Sequence, residues 1–362
     1  MCGICGYFDI SKERSPEMKI LANMANTLIY RGPDSSGYLI KEHLGLGFRR
    51  LSLIDLAGGN QPLYNEDETI VLVCNGEIFN YLELKKELIK KGHKFRTNTD
   101  VEILIHLYEE YGLDFLNQLN GQFAFALYDY QEQQLILARD QMGICPLFYT
   151  IVDKFLIFGS EIKAILAHPL VKREVDLVGL DQILTFPGLV SPRTMFKNIN
   201  SLKSGHYVLI KDCQVKVTEY WDLNYPQLNE TAYSQPESYY TEKLQELLIQ
   251  SVKYRLHADV PVGVYVSGGL DSSLIAAIVN QIRPDSDVHS FSIGFTDKEI
   301  CESKYRDILL KQLNFIHHDI WFDWHEISDG LVKAIYHSEC PLKETYNTAS
   351  LALSACANSN HI

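Results

Sequence analysis

Two hydrophobic rhythms divide the chain. In the first, short apolar runs are broken by Gly, Asn and Asp turns. Strands are expected at 4–10, 44–56 (a strand running into a turn), 70–74, 122–129, 134–139, 147–151, 155–159, 204–211 and 214–220. Met18, Leu21, Met24, Ala25 and Leu28 recur at helical spacing and predict a helix over 17–29, closed at Arg31-Gly32-Pro33-Asp34 because Pro bars the preceding residue from the helix. Helices are also expected over 81–91, stopped by Gly92, and 101–111, stopped by Gly112, with Asp100 as the natural N-cap of the latter. In the second rhythm, strands and helices alternate: helix 239–257, strand Val260–Val266, helix 274–282, strand 288–295, helix 302–313, strand 315–321 and helix 325–338. Such βαβα alternation predicts a doubly wound parallel sheet. The polar, proline-containing stretch between Tyr225 and Ser238 reads as a linker, giving domains over 2–225 and 239–362 with 226–238 between them.

Composition narrows the classes. The 362 residues suffice for about two domains. A net charge of −13 with no basic run argues against nucleic acid as a partner. No apolar run reaches the length of a membrane span and no signal peptide opens the chain. Eight cysteines without a secretion signal read as reduced thiols, so the cytoplasm is the expected compartment. Cys2 and Cys5 form one CxxC, but with no second CxxC and no His pair at ligand spacing a zinc or redox pair is disfavoured. His317 and His318, adjacent on an expected strand, face opposite ways and cannot chelate together.

Candidate chemistry begins at Cys2. Removal of Met1 would leave one residue carrying both a thiol and an α-amine, and an amine of pKa near ~8 can take the thiol's proton. The simpler alternative is a buried cysteine on a first strand. Of Arg49 and Arg50, one can turn inward, where its planar fork suits a carboxylate. Asn75-Gly76 stands between an expected strand and helix, where a side-chain amide and a backbone N–H could serve an oxyanion. In the second half, Ser267-Gly268-Gly269-Leu270-Asp271-Ser272-Ser273 lies between strand and helix, as a phosphate cradle does, with Asp271 able to hold magnesium. No GK[ST] follows, so it is not the P-loop of NTPases.

The motifs MCGICG, RGPD, RLSLID, NGEIFNY, TNTDVEIL, GQFAFALYD and SGGLDSS together make the whole chain resemble the glutamine-dependent asparagine synthetases. The resemblance implies an N-terminal αββα class II (Ntn) glutamine amidotransferase sandwich, then a doubly wound parallel sheet of the ATP-pyrophosphatase type. It implies Cys2 as nucleophile and Asn75 and Gly76 as the oxyanion hole. Arg50, in the stretch Arg50, Leu51, Ser52, Leu53, Ile54, would hold the glutamine α-carboxylate, while Glu77 and Asp100 fix the amino-acid end. Residues Ser267 to Ser273 would bind ATP pyrophosphate, Asp271 would lie near Mg²⁺, and Tyr265 and Ile293 would border the nucleotide. ATP is then a substrate, beside glutamine and aspartate, with no organic prosthetic group; a homodimer is compatible with this, although nothing in the sequence fixes an oligomeric state.

Three departures qualify the resemblance. Gln141 and Cys145 stand where the family often has Arg and Lys, and Tyr265 replaces a small aliphatic. The family also continues beyond the position of Ile362 into another strand and a second acidic, glycine-rich ATP motif. On that ground the expectation is an incomplete sheet, glutamine hydrolysis without asparagine formation, and weak ATP binding. Two alternatives stay open: a different carboxylate acceptor, as in surface-polysaccharide or antibiotic pathways, and a non-catalytic chain whose glutaminase domain only binds a partner.

Overall fold

The computed structural model describes residues 1–226, 235–284, 287–296, 303–342 and 344–362. Two compact units result, Met1–Tyr225 and Pro226–Ile362. Most of the expected linker, 227–234, lies outside the described residues, as does the first residue of the expected helix 302–313. No described helix is long and apolar enough to cross a membrane.

The first unit contains strands β1 (Gly3–Asp9), β2 (Ser35–Lys41), β3 (Leu44–Arg50), β4 (Leu63–Tyr64), β5 (Ile70–Ile78), β6 (Gly121–Asp129), β7 (Gln134–Arg139), β8 (Phe148–Val152), β9 (Phe155–Gly159), β10 (Asn200–Ser201), β11 (His206–Lys211) and β12 (Gln214–Glu219). Its helices are α1 (Met18–Asn26), α2 (Tyr81–Lys91), α3 (Ile103–Tyr111), α4 (Ile162–Leu166) and α5 (Leu177–Thr185). Two sheets form, in the orders β10-β8-β9-β1-β3-β2 and β12-β11-β7-β6-β5-β4.

The two-residue period of the strands sorts side chains between layers. In β5, Val71 and Val73 meet Phe8, Leu46 and Phe48 of the other sheet in a shared inner core. Ile70, Leu72 and Cys74 face the opposite way, onto Ile103, Leu104 and Leu107 of α3. In β1, Ile4 and Phe8 join the inner core while Cys5 and Tyr7 pack against Leu21, Met24 and Ala25 of α1. The result is a helix–sheet–sheet–helix sandwich, and strands buried on both faces explain the near-continuous apolar runs. Cys5 is fully buried on the α1 side, and Cys2 and Cys5 are both free thiols. Strand β2 escaped the sequence reading because it is an edge strand with no buried residue, paired only to β3.

The second unit comprises α6 (Glu237–Arg255), β13 (Val264–Tyr265), α7 (Leu270–Ile282), β14 (Val288–Phe295), α8 (Ser303–Leu310), β15 (Phe315–Phe322), α9 (Trp324–Ser338) and α10 (Tyr346–Ser359). Strands β13, β14 and β15 make a parallel sheet in that order. Val288 packs with Val252 of α6 and Ala276 and Val279 of α7 on one face. Phe291 and Ile293 pack with Leu353 and Ala357 of α10 on the other. Helices thus cover both faces, as a doubly wound sheet requires.

Two expectations need correction here. The strand expected over 260–266 shrinks to Val264–Tyr265, since Pro261 has no N–H for a ladder. Helix α7 starts at Leu270, so Asp271, Ser272 and Ser273 lie in its first turn and not in a preceding loop. His317 and His318 do diverge: the first meets Ser290 Oγ at 3.0 Å, the second His289 Nδ1 at 3.0 Å.

Candidate active site

Cys2 enters the sandwich at the head of β1, where Gly3 pairs with Arg49 of β3. The Leu51 N–H donates to its Sγ at 3.4 Å, and Sγ lies 3.5 Å from Leu51 O. Burial raises the Cys2 pKa, against the pull of that backbone contact. Burial also lowers the pKa of the α-amine, carried here by Met1. The same cleft is lined by Arg50, Asn75, Gly76, Glu77 and Asp100 as well as Cys2.

Asn75 and Gly76 correct the sequence reading. They do not terminate a strand; β5 runs on to Ile78, with Asn75 opposite Ala124 and Gly76 opposite Phe123 of β6. A Cβ at position 76 would sit 2.2 Å from Gln122 O and 2.6 Å from Phe123 Cα, so only glycine allows β6 to approach this closely. Asn75 is fully buried, and neither Nδ2 nor Oδ1 has a partner. An amide already stripped of water and left unpaired is costly, of order 1–3 kcal/mol per group, unless a ligand completes it.

Arg50 is the inward arginine. Its guanidinium donates to Leu56 O (3.2 Å), Ile54 O (3.2 Å) and Asp55 O (2.6 Å), which fixes the loop over Leu51, Ser52, Leu53 and Ile54. Gly59 makes room: a Cβ there would lie 2.7 Å from Arg50 Nη2. Arg49 turns outward to Ala25 O and Asn26 of α1.

Asp100 is not a helix cap. Helix α3 is capped at Glu102, without a side-chain cap bond, and Asp100 instead accepts the Ile78 N–H at 2.7 Å. That bond crosses from the 98–100 loop to β5 and brings the carboxylate into the cleft. Burial, and secondarily the Glu77 charge, push its pKa up to about 6. A cationic ammonium would relieve both effects.

The Arg31–Asp34 motif, read from sequence as a turn, is scaffolding for this cleft. Arg31 Nε donates to Cys2 O at 2.9 Å and Nη1 pairs with Glu161 at 3.3 Å. Asp34 accepts the Ser52 N–H at 2.7 Å. Gly32 lies against the β3 backbone, where a Cβ would be 2.3 Å from the Arg49 carbonyl carbon. Gln61 was missed entirely: it clasps Cys74 through both amide atoms, at 3.1 and 2.6 Å. No local pattern marks it; only the sheet brings it next to β5.

The second unit holds a separate cleft, lined by Tyr265, Ser267, Ser272, Ser292, Ile293 and Tyr346 among others. Gly268 has φ 96°, a left-handed turn that favours glycine. Ser267 Oγ and Ser272 Oγ are 2.9 Å apart, and the Gly269 N–H donates to Ser267 Oγ at 3.2 Å. Gly269 is the N-cap of α7 and its carbonyl accepts the Ser273 N–H at 3.1 Å, so Leu270, Asp271 and Ser272 present the unpaired N–H groups of a helix start. Tyr265 is 53% and Leu270 82% exposed. Of the two substituted family positions in the first unit, Gln141 donates to Leu119 O at 2.9 Å, and Cys145 is buried, its thiol pushed up to about 12 by burial and by Asp140.

Residues 1–221 match a family model described as a glutamine amidotransferase domain, and residues 243–362 one described as asparagine synthase. The chain is 37% identical to asparagine synthetase [glutamine-hydrolyzing] 2 of Bacillus subtilis, across 89% of this chain and 44% of that protein. It is 35% identical to asparagine synthetase [glutamine-hydrolyzing] of Zea mays, across 98% of this chain and 55% of that protein. It is also 34% identical to the amidase chyE of Penicillium rubens, across 92% of this chain and 51% of that protein. The chain spans about half the length of the curated relatives it matches.

Proposed function

The chain belongs to the glutamine-hydrolysing asparagine synthetase family, and we propose that it releases ammonia from glutamine at Cys2 and delivers it to a carboxylate activated by ATP. The observation that carries this reading is the buried, unpaired Asn75 amide in the Cys2 cleft. Glutamine's carboxamide oxygen would become an anion as sulfur adds to its carbon, and Asn75 Nδ2 with the Gly76 N–H are the donors for it. Arg50 would take the α-carboxylate and Asp100, with Glu77, the α-ammonium. Collapse of the tetrahedral adduct expels ammonia and leaves a thioester on Cys2, which water cleaves to glutamate and free thiol.

With Met1 in place, burial keeps the thiol protonated and the nearest amine belongs to another residue. Removal of Met1 puts the amine on Cys2 itself, where it takes the thiol's proton during attack and returns it to the leaving ammonia. Processing of the terminus is therefore part of the proposed mechanism.

In the second unit, Gly268, Gly269 and the start of α7 are suited to a pyrophosphate, with Ser267, Ser272 and Ser273 as hydroxyl donors. Tyr265 and Ile293 would border the base. Asp271 is exposed in the first turn of α7, which suits a carboxylate sharing Mg²⁺ with phosphate oxygens and water. Aspartate is the proposed acceptor. The likeness to a protein named as an amidase favours a second reading, in which amide hydrolysis is the chain's own reaction.

The test is ammonia release from glutamine, followed with ATP and then with aspartate, on protein whose intact mass shows whether Met1 is gone. Glutamate and ammonia from the processed form alone support the reading. No release from processed protein overturns it, and release with no AMP on adding aspartate redirects it to the second reading.

A further inference from the structure

Away from the Cys2 cleft, on the outer face of the first unit, Glu66, His93, His106 and Glu109 direct one ligand atom each toward a common point, all within 4.8 Å of one another. We propose that these four residues form a structural site for a divalent transition metal, of which zinc is the type.

The donor spacings match a small tetrahedral cage. His106 Nδ1 lies 3.0 Å from Glu109 Oε2 and 3.6 Å from Glu66 Oε2. His93 Nδ1 lies 3.5 Å from Glu109 Oε2 and 3.9 Å from Glu66 Oε1. Bonds of the usual zinc–nitrogen and zinc–oxygen length in a tetrahedron separate ligands by about 3.3 Å. Two imidazoles and two carboxylates suit zinc and its neighbours; all-oxygen sets suit magnesium or calcium. Among the described residues this is the one group of metal-ligating side chains brought together in this way.

The surroundings are those of a built site. Three of the four ligands are held by a hydrogen-bonded outer partner, the arrangement that orients metal ligands, and His106 has a carboxylate at ion-pair distance. His93 Nε2 is 3.0 Å from Glu110 Oε1, and His106 Nε2 is 3.8 Å from Glu102 Oε1. Asn65 Nδ2 donates to Glu109 Oε1 at 2.9 Å, and the Lys94 N–H to Glu66 Oε1 at 2.8 Å. His106 is 1% exposed, with Phe95 packed edge-on to its ring. His106 and Glu109 share one face of α3 because they are one turn apart. Glu66 lies in the turn between β4 and β5, and His93 directly follows the Gly92 cap of α2.

A metal here would join three segments that are distant in sequence. It would also brace the route to Asp100. Glu102, behind His106, accepts the Arg96 and Thr97 N–H groups at 2.6 and 2.8 Å. Those residues begin the 96–100 loop that carries Asp100 into the cleft. Four protein ligands leave no open position, so the role is structural and not catalytic.

The experiment uses the full chain with Cys213→Ser, because Cys213 is an exposed thiol that would compete for zinc. Chelator-treated protein is titrated with zinc and, separately, with cobalt(II), whose visible d–d absorption reports tetrahedral ligation. The expected result is one tightly bound zinc per chain, a higher melting temperature, and a tetrahedral cobalt spectrum without the strong thiolate charge-transfer absorption. His93→Gln and Glu109→Gln, on partly exposed residues, should abolish the cobalt spectrum and the melting shift. Glu110→Gln, a partner and not a ligand, should weaken zinc about 10–100-fold. A chain that takes up less than stoichiometric zinc, or one whose spectrum survives both ligand variants, overturns the site and leaves His106 as a protonated ion-pair partner of the surrounding glutamates.

Discussion

The two clefts differ in how far their polar groups are already buried and paired. In the first unit, Asn75, Arg50 and Asp100 are 0%, 5% and 4% exposed, and the unpaired amide and perturbed carboxyl wait for a ligand. In the second, Tyr265 is 53% exposed, Asp271 is exposed, and the serine hydroxyls of the phosphate loop bond to each other. The first has already lost the water around its polar groups when the domain folds, so the proposed glutamine would find preorganised partners. The second would have to exchange its internal Ser267–Ser272 bond and its hydration for the oxygens of the proposed phosphate. Substitutions of the buried polar groups Asn75, Arg50 and Asp100 should therefore act strongly on turnover and on stability together, and those of Cys2 on turnover alone. Substitutions in the second should act modestly on affinity alone.

The hardest test of that contrast is the nucleophile. Cys2→Ala is expected to abolish glutamine hydrolysis while leaving the melting temperature within a few degrees and any nucleotide binding unchanged. Ammonia release that persists would remove Cys2 from the chemistry. Asn75→Ala comes next: loss of one oxyanion donor costs roughly 10²–10³ in kcat, about 3 kcal/mol. KM should move far less, since the ground-state carbonyl carries little charge. A large KM rise with kcat preserved would make Asn75 a binding residue.

Asp100 links function to stability. Its folded pKa of about 6 exceeds the ordinary aspartate value of 3.8. An acid whose folded pKa is raised is destabilising when ionised: the cost is absent below about pH 4, grows through pH 6 and is constant above it, reaching about 3 kcal/mol. Asp100→Asn should thus stabilise the ligand-free chain at pH 7 while lowering kcat/KM for glutamine about 10–100-fold. In the unsubstituted chain kcat/KM should fall as pH drops through about 6, as the carboxylate facing the substrate ammonium is neutralised. A flat profile between pH 5 and 7, or a destabilised Asn variant, would show that Asp100 does not face the ammonium.

Much of this was readable from the sequence, for identifiable reasons. Strands buried on both faces print continuous apolar runs, and β9 and β14 were anticipated to the residue. Arg50 was one of two adjacent candidates, and the strand's alternation makes the inward choice a matter of register. What failed was local. Asn-Gly at 75–76 has the composition of a turn, yet the close approach of β6 draws it into the ladder. Asp100 has the composition of a cap, yet a long-range bond to Ile78 claims it. Edge strand β2 only half-buries Tyr38, Leu39 and Ile40, and no fully buried position marks it. Gln61 and the Glu66–His93–His106–Glu109 group were invisible because their members meet only in three dimensions; spacing rules for metal ligands detect only His106 and Glu109, one turn apart.

The smallest effect should come from the second cleft. Ser272→Ala removes a hydroxyl that accepts the Ser267 N–H at 3.2 Å and sits 2.9 Å from Ser267 Oγ. In the free chain the loss is minor, because water replaces the partner at an exposed loop. In a nucleotide complex the same hydroxyl would donate to a phosphate, and a single such bond is worth about 0.5–1.5 kcal/mol, or roughly 2–10-fold in affinity. Glutamine hydrolysis measured without ATP should be unchanged, because Ser272 lines only the second cleft. Equilibrium binding of ATP to the substituted and unsubstituted chains, beside ammonia release from each, decides the matter. A loss far above tenfold would mean that the phosphate loop is as preorganised as the Asn75 site, and the contrast between the two clefts would collapse. A loss confined to that range, with hydrolysis intact, would place preorganisation in the first cleft only.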